Sequence, residues 1–318
     1  MRRALQLARQ GAGHVSPNPM VGAVIVSADG RIIGERWHRA YCGPHAEVQA
    51  FRNVAPADEH LIPNATIYVT LEPCSHYGKT PPCAALLCSR HIRRAVIGCG
   101  DPNPKVAGRG IAMLRDAGIE VVENVLHDEC YSLNKRFMTA HTLHRPWIQL
   151  KWAESADGFM AAANRNSSSP DGGKYTSAAL STPTGMVLMH RERSLCDAII
   201  VGTDTMLTDR PSLTTRLWPG NSPRPVLFAS PRLPQQLKVG GREPIWLDRE
   251  LPLAENMSML FSDYGITSLM VEGGATLLSA FIDVGLYDEI RCEVSDIRLG
   301  DGLPAPSIPA KVIVNETE

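Results

Sequence analysis

No apolar run in the chain approaches the length needed to span a bilayer, and the start, Met1-Arg2-Arg3-Ala4-Leu5, lacks the apolar core of a secretory signal. Neither sign of charge is in excess: the formal net charge is −1, with 20% of residues charged. That balance argues against a strongly basic nucleic-acid surface, and with 44% hydrophobic residues nothing points to disorder. Aromatics are sparse at 6%, too few to line a stacking groove for single strands. The eight cysteines, at 42, 74, 83, 88, 99, 130, 196 and 292, lack the density of a disulfide scaffold. The expected setting is a reducing cytoplasm, with no membrane and no nucleic-acid partner. One more absence bears on cofactors. No Gly-x-Gly-x-x-Gly follows the first strand of the second half, which argues against a conventional Rossmann domain.

At 318 residues the chain exceeds the usual single-domain size, so two domains are expected, 1–143 and 146–318. Met1 to Gln10 has helical spacing; Val21 to Val26 and Arg31 to His38 read as a hairpin around the Asp29-Gly30 turn. A helix over His45–Val54, a strand over Thr66–Leu71, and a helix opened by Pro81-Pro82-Cys83 follow. Arg94–Cys99 is a strand, Gly108–Ala117 a helix, and Ile119–Val122 is extended again. Helices alternating with strands predict a three-layer α/β domain.

The first half is organised around His45-Ala46-Glu47 and the run from Pro73-Cys74 to Pro82-Cys83. One histidine and two cysteines suit a zinc ion with three protein ligands, leaving the fourth position for water. A structural zinc knot normally takes four protein ligands and needs no spare acid beside them. Glu47 is placed to carry a proton from that water to a leaving amine, the arrangement of zinc deaminases. Their usual second half is Pro-Cys-x-x-Cys; here eight residues separate Cys74 from Cys83.

After a boundary near Met138–Trp147, strands are expected at 147–152, 197–202, 225–228, 245–247 and 267–271. Ala161–Lys174 reads as a loop and Pro183–Arg193 as a helix. Glu272-Gly273-Gly274 is a glycine turn between a buried strand and a helix. Such a turn lets backbone amides approach an anion, although it is also simply a tight connection.

Pro17-Asn18-Pro19-Met20-Val21-Gly22, Gly43-Pro44-His45-Ala46-Glu47, Thr70-Leu71-Glu72-Pro73-Cys74-Ser75-His76, Gly78-Lys79-Thr80-Pro81-Pro82-Cys83 and Asp101-Pro102-Asn103-Pro104 resemble the cytidine-deaminase-like superfamily. More narrowly, the chain resembles the bifunctional deaminase–reductases of riboflavin biosynthesis, in which the eight-residue cysteine spacing is a family feature. Lys151-Trp152-Ala153, Ser155-Ala156-Asp157-Gly158, Val201-Gly202-Thr203-Asp204-Thr205, Asp209–Arg216 and Val271-Glu272-Gly273-Gly274 resemble that family's reductase domain, whose fold is similar to dihydrofolate reductase.

The resemblance implies zinc held by His45, Cys74 and Cys83, with Glu47 as proton shuttle. It further implies a pyrimidine and phosphate pocket lined by Asn18, His38, His76, Lys79, Asp101 and Asn103. In the second domain it implies Thr205, Asp209 and Gly274, beside Gly273, facing NADPH. Arg193, Leu213, Arg216 and Glu272 would face the sugar phosphate, with Lys151 near the reaction centre. The implied reactions are deamination of a diaminopyrimidinone ribosyl phosphate, then NADPH reduction of its ribose to a ribityl chain. A homo-oligomer is expected, and the closing strand of the family's reductase half is expected to be absent from 146–318. Three alternatives compete: a nucleic-acid or nucleoside deaminase, a deaminase with an impaired reductase, and a zinc-stabilised binder without turnover. Glu47 argues against the last, because a sensor needs no proton shuttle.

Overall fold

A computed structural model describes residues 1–76, 81–103, 107–164 and 175–308. The chain divides into two compact units, Met1–His144 and Arg145–Glu318.

The first unit is built on a five-stranded sheet of β1 (Gly22–Val26), β2 (Ile32–Trp37), β3 (Thr66–Leu71), β4 (Arg94–Cys99) and β5 (Glu120–Val122). Its order is β2-β1-β3-β4-β5, antiparallel across the first two pairings and parallel across the last two. The strands are apolar on both faces, so both must be covered. Ala23, Ile25, Ile67 and Val69 pack with residues of α2 (Ala46–Arg52), α3 (Cys83–Ser89) and α4 (Arg109–Asp116). Val24 points the other way and packs with Ala4 and Leu7 of α1 (Arg2–Ala8). Leu5 of α1 joins Cys130 of α5 (His127–Leu133) and Phe137 and Met138 of α6 (Lys135–Leu143) in a further apolar cluster. This is the three-layer arrangement that the alternation predicts.

The second unit holds a six-stranded, wholly parallel sheet in the order β11-β10-β9-β12-β6-β13. Its strands are β6 (Trp147–Glu154), β9 (Ala198–Ile200), β10 (Arg224–Phe228), β11 (Ile245–Leu247), β12 (Ser268–Glu272) and β13 (Glu289–Val294). Alternate residues serve opposite cores. Ile148, Leu150, Ala198, Ile200, Leu269 and Val271 pack against α9 (Leu253–Ser262) and α10 (Ala275–Asp283). Ile199, Leu227 and Met270 face the other cluster, with Met206 of α8 (Thr203–Thr208). The helix α7 spans Pro183–Ser194, its start capped by the Thr182 hydroxyl accepting from the Gly185 amide.

A small antiparallel sheet joins β7 (Phe159–Ala163), β8 (Tyr175–Ser177) and β14 (Gly302–Pro304) in the order β14-β7-β8. It corrects the expected loop at its start, because Ala161–Ala163 belong to β7. Consecutive alanines carry no alternation to read; partners on β8 and β14 make this segment a strand. Residues 165–174, the rest of that expected loop, lie outside the described residues. So do residues 309–318.

Candidate active sites

Two helix starts and one strand end deliver the metal-ligating set. His45 is the N-cap of α2 in extended conformation, so its side chain leaves the helix end rather than joining its surface. Cys83 is the first residue of α3, behind Pro82, and Cys74 lies three residues past β3. His45 Nδ1 lies 3.5 Å from the Cys74 sulfur and 3.3 Å from the Cys83 sulfur. All three ligand atoms lie within 4.8 Å of one another. Tetrahedral zinc with bonds of about 2.0–2.3 Å needs ligand atoms roughly 3.5 Å apart, so the donor set fits the ion. Three protein ligands leave one position for a reactant.

The electrostatics favour the thiolate at Cys74 over Cys83, whose thiol is pushed upward by the hydrogen bond it gives Cys74 and by burial. The Cys83 amide donates to the Cys74 sulfur at 3.3 Å. Hydrogen bonding from the Cys83 thiol, from His45 and from that amide brings the Cys74 thiol down to about 4. Glu47 follows His45 by two positions and is 3% exposed. Burial, then the neighbouring Cys74 charge, pushes its carboxyl upward, which suits a group that must take and return a proton.

His38 and Asn18 lie beside this centre. The His38 ring meets the His45 ring edge-on at 5.5 Å between centroids. Its Nδ1 is 3.1 Å from the Pro44 carbonyl, which only accepts, so Nδ1 carries the proton. Nε2 is then the acceptor for the Asn18 side-chain amide at 3.2 Å. Burial lowers the His38 pKa and keeps the ring neutral.

Asp101 and Asn103 form a half-buried turn, with the Asn103 amide donating to Asp101 at 2.8 Å. Burial is the main cause that raises the Asp101 carboxyl to about 6. His76 is exposed, and Lys79 falls outside the described residues. Glu72, which immediately precedes Pro73-Cys74, was not singled out from sequence. It is 4% exposed and accepts hydrogen bonds from backbone amides of Asp101 and of the start of α4. A carboxylate at the end of an apolar strand was the available signal.

In the second unit the candidates gather at the carboxyl ends of the parallel strands, where ligands of open α/β sheets bind. Gly202 follows β9, and Gly273-Gly274 follow β12. Gly274 has φ −67°, so the position does not need glycine for its backbone. Among the described residues, a β-carbon there would meet only the Thr205 hydroxyl, at 3.7 Å. One at Gly202 would find, among the described residues, only Thr205 and Leu277, both at 4.0 Å. These bare positions with Thr205 form a cradle that a side chain would fill, which fits a cofactor phosphate. Gly202 was not singled out from sequence. Asp209, the C-cap of α8, is exposed nearby in the chain.

Arg193, at the last turn of α7, is 6% exposed and forks onto Glu272, with bonds of 2.8 and 2.5 Å. Its third nitrogen donates to the Thr214 carbonyl at 3.1 Å. Lys151 stands in register beside Glu272 on one side and Arg291 on the other, so three charged side chains share one face of the sheet. Arg216 is exposed, and its amide donates to His190 Nδ1 at 3.0 Å. Leu213 is placed differently from a pocket-facing residue: its side chain is 1% exposed and packs with Met206 and Val239. Its backbone, at φ 52°, is left-handed, and the Arg242 guanidinium braces its carbonyl at 2.9 Å. Such a conformation costs about 1–2 kcal/mol for a side-chain-bearing residue, so the surrounding contacts must hold it. A cavity of about 770 Å³ opens at the ends of β10 and β11, lined by Ser230, Trp246, Asp248 and Arg249 among others.

With this geometry in view, the similarity to known proteins is decisive. Residues 1–99 match the cytidine and deoxycytidylate deaminase zinc-binding region, and residues 146–312 match the RibD C-terminal domain. The chain is 37% identical to riboflavin biosynthesis protein RibD of Bacillus amyloliquefaciens, across 97% of this chain and 86% of that one. The chain belongs to the RibD family. RibD of Actinobacillus pleuropneumoniae is 35% identical, across 94% and 84% of the two chains. Among solved structures, a deaminase/reductase from Thermotoga maritima is 34% identical with a TM-score of 0.84, covering 99% of this chain and 91% of its own. Acinetobacter baumannii RibD has a TM-score of 0.83 at 34% identity, covering 96% and 88%. The chain thus joins a zinc-type deaminase to a reductase of riboflavin biosynthesis.

Proposed function

We propose that the first unit deaminates 2,5-diamino-6-ribosylamino-4(3H)-pyrimidinone 5′-phosphate and that the second reduces the ribosyl group of the product to ribityl with NADPH. The observation that carries the first half is the three-ligand centre with buried Glu47 beside it. Bound zinc supplies the Lewis acidity that makes water a competent nucleophile near neutral pH. Glu47 takes the proton from the attacking water and returns it to the amine. The ring carbon gains oxygen, its bond to nitrogen breaks, and ammonia leaves. Asn18, oriented through neutral His38, holds the pyrimidine, while Asp101, Asn103, His76 and Lys79 hold the remainder of the substrate.

In the second unit the Gly202, Gly274 and Thr205 cradle supports a cofactor phosphate, and the cavity beyond β10 and β11 has room for more of a dinucleotide. Bound there, NADPH would supply the hydride for the aldehyde carbon of the opened ribose, with a proton on its oxygen completing the alcohol. Lys151, Arg193, Arg216 and Glu272, with the backbone of Leu213, position the sugar phosphate, and planar guanidinium forks match phosphate oxygens. The cytoplasm is the proposed compartment and a homo-oligomer the proposed assembly; among the described residues no helix is long and apolar enough to cross a membrane.

The test follows ammonia release and NADPH oxidation separately on the zinc-loaded chain. Release of ammonia from the diaminopyrimidine, followed by NADPH oxidation on the deaminated product, is expected. A zinc-loaded chain that released no ammonia would overturn the first half of the reading, and one that oxidised no NADPH the second.

A further inference from the structure

We infer that Glu72 is a positioning residue for deamination, tying the Cys74 ligand to the Asp101–Asn103 wall of the pocket through one carboxylate. The inference rests on the deaminase reading above. The Glu72 backbone amide donates to the Cys99 carbonyl at 2.9 Å, so the residue is anchored between β3 and β4. Two residues on, Cys74 offers its sulfur to His45 and Cys83. From the same residue the carboxylate reaches across to the next loop. Oε2 accepts from the Asp101 amide at 3.4 Å and the Gly108 amide at 3.0 Å. Oε1 accepts from the Gly110 amide at 3.0 Å and the Ile111 amide at 3.3 Å.

Two glycines make this grip possible. Gly108 is left-handed, with φ 74°, which turns its amide toward the carboxylate. Gly110 approaches the Pro73 carbonyl so closely that a β-carbon would overlap it. The strand end carrying Cys74 and the helix following the Asp101 loop are therefore held face to face by the side chain of Glu72 and by the bare flank of Gly110. Both oxygens serve as acceptors for two amides each. Glutamine keeps the shape yet turns an NH2 donor onto one of these pairs, and aspartate is one methylene too short. Neither can replace the carboxylate. Partners behind metal ligands typically contribute 10–100-fold to metal affinity or activity.

The experiment measures zinc release from the holoprotein into a chelator, and deamination kinetics, for wild type, Glu72→Gln and Gly110→Ala. Zinc release about 10–100-fold faster is expected in both variants, with KM for the pyrimidine raised in parallel and NADPH oxidation on the deaminated product unchanged. Ile67→Val, a core change elsewhere on β3, controls for loss of stability alone. Equal zinc release and KM in Glu72→Gln and wild type would overturn the inference, and so would an equally fast release from Ile67→Val. Where a variant fails to fold, amide exchange in the wild type decides. Removing zinc should speed exchange at Gly108, Gly110 and Ile111, since coupling between two sites is reciprocal, and unchanged protection there overturns the link. If the wild type releases no ammonia, the proposed function falls, while zinc release and amide protection still judge Glu72.

Discussion

Glu47 and Asp101 show how burial sets the chemistry of single carboxyls. Glu47 is closed in by α2 and the ligand set, so Glu47→Gln should keep the local shape and the zinc while losing the proton carrier. Deamination is expected to fall by about 10²–10⁴-fold at unchanged zinc content, read by ammonia release and metal analysis. Asp101 has a folded value of about 6 against an ordinary 3.8. The ionised form is therefore the one the fold disfavours, and the cost enters as pH rises through the window from about 4 to 6. Asp101→Asn removes that cost. Its melting temperature relative to wild type should climb across this window and level off above it. The limit is on the order of 2 kcal/mol, taking about 1.4 per pKa unit and allowing for partial solvent contact. A flat difference from pH 4 to 8 would show that burial does not hold Asp101 in its neutral form.

At the scale of elements, what matters is how a strand or helix ends. The β12–turn–α10 unit places Gly274 at φ −67°, where any residue is allowed, and leaves its flank bare. Gly274→Val should thus fold normally and weaken NADPH binding about tenfold or more, a loss of about 1.4 kcal/mol or greater, because the side chain takes the space the phosphate needs. Titration of NADPH with zinc content and melting temperature in parallel checks this; unchanged affinity would exclude the cradle. At the other centre, Cys83 stands at the first position of α3, so Cys83→Ala removes a ligand and the bridge through the metal to Cys74, leaving the backbone amide of residue 83 on the Cys74 sulfur. Zinc below one equivalent and a lower melting temperature are expected, by metal analysis and calorimetry. Some ends were plain from sequence, as at Thr66–Leu71 and Arg94–Cys99. Others had a signal that went unread: Glu289–Val294 alternates charged and apolar residues as a half-buried strand does. α5 and α6 gave less to read. Among the described residues neither has a side-chain cap, and packing of Cys130, Phe137 and Met138 with Leu5 of α1 supports them.

For the whole molecule, each unit has its own apolar core, one around Ile25, Ile67 and Ile97 and another around Leu150, Ile200 and Leu269. Separate cores imply separable activities. Chelating zinc should abolish ammonia release yet leave NADPH oxidation on the deaminated product within about twofold, since metal binding is linked to the folding of the unit that holds it. Parallel loss of both rates would mean that the two units do not act independently.

The sequence by itself determined the α/β class, the two-part organisation and the metal set, because each rests on local information. Residue periodicity sets a strand or helix, and the chemistry of histidine, cysteine and glutamate is carried by the residues themselves. Family resemblance then carried the assignment to riboflavin biosynthesis. Only the tertiary structure decided which backbone amides Glu72 accepts, that Leu213 turns its side chain into the core, and that Gly202 joins Gly274 in one cradle. Those features depend on which segments the sheet order brings together: β3 beside β4 at Glu72, and β9 beside β12 at the two glycines. Pairing between segments far apart in sequence is set by the packing of the whole core, which no local pattern encodes.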